Sequence, residues 1–71
     1  MKPAEVTIMV NGQKELICLP CTVTQMLDKA GLKATQVVVE RNGNVLSRTM
    51  LTQILLNEGD RLEVIVPVAG G

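Results

Sequence analysis

The chain has 71 residues, no histidine, no aromatic residue, and seven basic side chains against seven acidic ones. Domains typically run to ~100–150 residues, so this is one small domain, and it buries only about 60% of its unfolded surface. The missing residue types exclude an imidazole base, a His-ligated zinc and an aromatic platform for single-stranded nucleic acid; zero formal net charge removes the drive toward phosphate backbones and acidic membranes.

What is left is a carrier, a modifier or an interaction module on an aliphatic core, with 46% of residues hydrophobic. No apolar run approaches the ~20 residues of a membrane span, and Met1-Lys2-Pro3-Ala4-Glu5 has no apolar signal core behind its lysine. The expected location is cytoplasmic, with Cys18 and Cys21 as reduced thiols.

Val6, Ile8 and Val10 alternate with Glu5, Thr7 and Met9, the period of a half-buried strand. Asn11-Gly12 supplies a turn, and a second strand follows over roughly Lys14 to Leu19. A two-residue loop would set Ile8 against Glu15. A three-residue loop through Gln13 sets Ile8 against Leu16 and Val6 against Cys18. Matching apolar to apolar selects the second register, which turns Cys18 inward and Ile17 outward.

Thr22-Val23-Thr24-Gln25 is a capping box, and Val23, Met26, Leu27 and Ala30 follow at the spacing of one helical face. Gly31 stands where a left-handed C-terminal cap belongs. Val37 to Glu40 reads as strand, Asn42-Gly43 as turn, and Val45-Leu46 as a short strand. Ser47 to Leu56, whose periodicity is ambiguous, suits a brief helix or a 3-10 segment capped by Ser47 or Thr49. After the turn cluster Asn57-Glu58-Gly59-Asp60, Leu62, Val64 and Val66 alternate along a final strand that Pro67 ends.

One main helix covers only one face of a mixed four- to five-stranded sheet, so the class is α+β with the other face wet. Hairpins join neighbours; knowledge of such folds, more than the pattern itself, places the last strand in the middle, parallel to the first. The domain then occupies residues 1–66, and 67–71 form a flexible tail.

That tail ends in Gly70-Gly71, a pairing expected by chance in about one chain in 200. Two residues without side chains can thread a narrow slot and present a carboxylate to another protein. The carboxylate, ionised above ~3.5, is a poor acyl donor until another enzyme activates it.

The chain resembles the ubiquitin-like β-grasp sulfur carriers, and within them the ThiS family. The resemblance rests on Val10-Asn11-Gly12, Thr22-Val23 with Leu27, and Val39-Glu40-Arg41-Asn42-Gly43. It continues through Glu58-Gly59-Asp60, Leu62-Glu63-Val64-Ile65 and Val68-Ala69-Gly70-Gly71. The related MoaD family shares the tail and the Gly-Asp turn, so a molybdopterin carrier stays an alternative, as does a ubiquitin-like modifier. The resemblance implies a protein that is not itself an enzyme and binds no cofactor. An E1-like adenylyltransferase would use ATP and magnesium to adenylate Gly71. Sulfur from a donor such as a cysteine desulfurase would give a thiocarboxylate, delivered to a thiazole synthase for thiamine. Gly70 would give close access, and Ala69 and Val68 would position the tail.

Two further features compete for a role. Cys18-Leu19-Pro20-Cys21 precedes a helix, a placement that lowers a thiol pKa in redox motifs, although the chain lacks the longer core of a thioredoxin-like fold. Two thiols do not close a tetrahedral zinc site, so no metal is assigned. On the selected register Met9, Ile17, Val38 and Ile65 share the outer sheet face as a partner-docking surface, though scattered exposed apolar residues are ordinary.

Overall fold

The structure, a computed structural model, describes residues 4–67. Strands β1 (Ala4–Val10), β2 (Gln13–Leu19), β3 (Val38–Arg41), β4 (Asn44–Val45) and β5 (Arg61–Ile65) form one sheet in the order β2-β1-β5-β3-β4. β5 runs parallel to β1 and antiparallel to β3, the central position expected for the last strand. Helices α1 (Val23–Lys29) and α2 (Arg48–Gln53) and a 3-10 turn at Ala34–Gln36 complete the domain.

Local chemistry accounts for both ends of α1. The Thr22 hydroxyl accepts from the Gln25 amide at 3.2 Å, and the Gln25 side chain accepts from the Thr22 amide at 2.9 Å. At the other end Gly31 takes φ 77°, its amide donating to Asp28 at 3.0 Å while Leu32 donates to Leu27 at 2.9 Å. Gly31 is there because a left-handed residue lets the chain satisfy those last carbonyls. Seven residues make a helix too short to persist alone. Val23, Met26 and Leu27 hold it against the sheet, joined in the core by Ile8, Ile17, Val39, Leu51, Leu56 and Leu62. α2 is capped by Ser47, whose hydroxyl accepts from Met50, one of the two caps expected.

The first hairpin departs from the expected register. Asn11 and Gly12 close a two-residue turn with φ 51° and 80°, and Ile8 faces Glu15 while Val6 faces Ile17. An Asn-Gly turn with both residues at positive φ follows the twist of the strands it joins, and that backbone preference outranks local apolar matching. Glu15 opposite Ile8 costs little because β2 is an edge strand and Glu15 stays exposed. One register step exchanges every side chain between faces. Ile17, expected outside, is 5% exposed in the core; Leu16 is 64% exposed, and Cys18 is outside rather than inside. Val66 also differs: β5 ends at Ile65, and Val66 lies exposed instead of continuing the inward alternation.

Candidate functional site

The expected reacting residue Gly71, with Gly70, Ala69 and Val68, lies outside the described residues. What the structure shows is how the chain leading to them is held. β5 is fixed from both sides by the two turn asparagines. Asn11 Oδ1 accepts from the Val64 amide at 2.8 Å and Asn11 Nδ2 donates to the Val64 carbonyl at 3.2 Å, extending the β1 ladder with a side chain. Asn42 Oδ1 accepts from the Arg61 amide at 2.9 Å, and the Asn42 backbone N–H donates to the Arg61 carbonyl at 2.8 Å. Both asparagines have φ 51°, a conformation that Asn tolerates better than other side chains.

Asp60 ties the same region together. Its carboxylate accepts from the Asn57 amide at 2.8 Å, from Arg41 Nε at 3.1 Å and from Asn42 Nδ2 at 3.2 Å. The side chain is buried, and burial pushes its pKa up. The hydrogen bonds from Asn57, Asn42 and Arg41, with the Arg41 charge, outweigh that and hold it below the ordinary aspartate value. The sequence marks Asn11, Asn42 and Asp60 as turn residues. Their clamping role was not read from it, because each reaches a strand distant along the chain.

The outer sheet face carries Met9, Val38 and Ile65 as expected, with Leu16 in place of Ile17. Val38 and Ile65 are directly opposed across β3 and β5, at 40% and 47% exposure. They form an apolar pair beside the point where Val66 and Pro67 leave the sheet. Val45 faces Glu40 from β4 and adds a further exposed apolar side chain.

The cysteines do not make the activated pair that their position before α1 suggests. Cys21 is buried and its Sγ donates to the Thr22 carbonyl at 3.3 Å. Burial pushes its pKa up, and the nearby Cys18 adds to this; the Lys29 charge opposes without reversing it. Cys21 is therefore a protonated core side chain at neutral pH, while Cys18 is exposed on the outer face.

Five strands in the order 2-1-5-3-4, with α1 across one face, define a ubiquitin-like β-grasp protein whose last strand leads outward from the centre of the sheet. The crystal structure of the thiamine biosynthesis protein ThiS from Geobacter metallireducens matches with a TM-score of 0.79 and 29% identity, covering 93% of this chain and 100% of that one. The ThiS family model matches residues 2–71, and the chain belongs to the ThiS family. A thiazole synthase of Paramagnetospirillum magneticum is 30% identical over 64 residues, covering 90% of this chain but 20% of that protein. The chain thus spans about a fifth of that relative's length. The uncharacterized protein ycf40 of Pyropia yezoensis is 31% identical over 68 residues, 96% of each chain. Among the described residues no helix is long and apolar enough to cross a membrane.

Proposed function

We propose that the protein carries sulfur on the carboxyl group of Gly71 for assembly of the thiamine thiazole, as a co-substrate of other enzymes and with no turnover of its own. The observation that supports this most is the ThiS family match running from residue 2 to residue 71, which takes in the Gly-Gly tail. The carboxylate oxygen attacks the α-phosphorus of ATP in an E1-like adenylyltransferase that holds the magnesium, and pyrophosphate leaves. A persulfide sulfur, supplied by a donor such as a cysteine desulfurase, then attacks the acyl carbon and AMP leaves. A thiol cleaves the resulting acyl disulfide, releasing the thiocarboxylate. A mixed anhydride is the activation needed, because a free carboxylate does not accept a nucleophile at neutral pH.

The acceptor in this reading is a thiazole synthase. It is supported by the relative of that name, which contains a segment similar to this chain within a longer protein. Gly70 keeps the approach to the acyl carbon open, while Ala69 and Val68 set the tail's depth in the partner's channel. The cytoplasm, with its ATP and reducing thiols, is the setting this chemistry needs. ATP–pyrophosphate exchange with the adenylyltransferase from the same cell tests the reading. Exchange is expected with the protein as it stands and is lost when one alanine is added after Gly71. Equal exchange by the extended protein would show that the carboxyl of Gly71 is not the group activated.

A further inference from the structure

Beside the root of the tail lies a groove of about 560 Å³. Its walls come from three separate parts of the chain: Thr35, Gln36, Val37 and Val38; Arg48 at the start of α2; and Val66 and Pro67. Val38 and Val66 are exposed at 40% and 54%, so the walls offer apolar surface to a partner.

The charge in this groove is one-sided. Among the described residues Arg48 is the one charged side chain that lines it, and none of those lining residues is acidic. Arg41 is spent on Asp60, whereas Arg48 has no carboxylate within ion-pair distance among the described residues. A guanidinium presents a planar fork of donors that matches a carboxylate in two parallel hydrogen bonds.

We infer that this groove is a docking site for the protein that activates the tail. Its occupant is a segment with apolar side chains against Val38, Val66 and Pro67 and an Asp or Glu paired with Arg48. The inference rests on the carrier reading above. Four residues separate Pro67 from the carboxyl of Gly71, a reach of at most about 14 Å. Any protein that encloses that carboxyl in its active site therefore comes up against the surface on which Pro67 sits. The groove reaches the root of the tail at Val66 and Pro67, and Arg48, without an ion-pair partner among the described residues, fixes the sign of what meets it.

The test is the dependence of ATP–pyrophosphate exchange on carrier concentration, using the adenylyltransferase co-purified from the native cell. Arg48→Glu is expected to raise the KM for the carrier ~10-fold or more while kcat stays within about twofold, because it sets like charges against each other. Arg48→Ala raises KM less, and Arg48→Lys falls between it and wild type. The wild-type KM rises with ionic strength more steeply than that of Arg48→Ala, a difference that a purely structural role for Arg48 does not produce. Thermal melts of the three variants matching wild type confirm that the fold is intact. KM values for Arg48→Glu and Arg48→Ala within twofold of wild type would overturn the docking site while leaving the carrier reading standing. Absence of exchange by the wild-type protein would refute the carrier reading, and this site with it.

Discussion

Asp60 concentrates more of the fold's polar bonding than any other single side chain described. It is a buried carboxylate kept ionised by Arg41, Asn42 and the Asn57 amide. Asp60→Asn keeps the shape but places an NH2 group where an oxygen accepted donors. The expected loss is about 2–4 kcal/mol in urea unfolding at pH 7, as for other broken buried charge pairs. The pH dependence has a definite sign. The folded pKa is depressed below the unfolded value of ~3.9, so the unfolded state binds more protons across that window and stability rises with pH. The contribution is complete above the unfolded pKa and is lost as pH falls through the folded one. Urea midpoints at pH 7 and pH 3 are therefore expected to lie closer together in Asp60→Asn than in wild type. An unchanged acid slope would show that other carboxylates set it.

At the scale of elements, β5 depends on side chains from turns as much as on its strand neighbours. Asn11 does two jobs: it occupies a left-handed conformation and bonds both backbone groups of Val64. Two variants separate them. Asn11→Gly keeps the permissive backbone and loses the side-chain bonds, for about 1–2 kcal/mol; Asn11→Ala adds about 1 kcal/mol of backbone strain. Equal destabilisation of the two would show that φ at this position carries no strain. The same hairpin marks the limit of what the sequence makes legible. The capping box at Thr22 and Gln25 and the Gly31 cap are legible because every participant lies within a few residues. The β1–β2 register was not. It is decided between turn geometry at Asn11-Gly12 and burial of Ile17 beneath α1, and the second depends on an element outside the strand pair. Reading the Asn-Gly turn as a strict two-residue loop would have placed Ile17, Leu16 and Cys18 correctly.

For the whole molecule, the last strand inserted between two hairpins means that the tail leaves from the centre of the sheet. Its base is braced by Asn11 on one side and Asn42 on the other. The described part of the tail's root is thus held by side-chain hydrogen bonds as well as by the sheet. The Gly-Gly end lies outside the described residues, but the strand leading to it was legible because its alternation is contiguous in the sequence. The groove around Arg48 was not, since residues 35–38, 48 and 66–67 meet only once the sheet has formed.

The central claim is that Gly71 bears the sulfur. Intact-mass measurement tests it most directly, after incubation with the adenylyltransferase, ATP, magnesium and a persulfide donor, with the site located by fragmentation. The account predicts a gain equal to replacing one oxygen by sulfur, confined to Gly71 and absent without ATP. A protein unchanged in mass beside an active partner, or sulfur found on Cys18 or Cys21 instead, would contradict it.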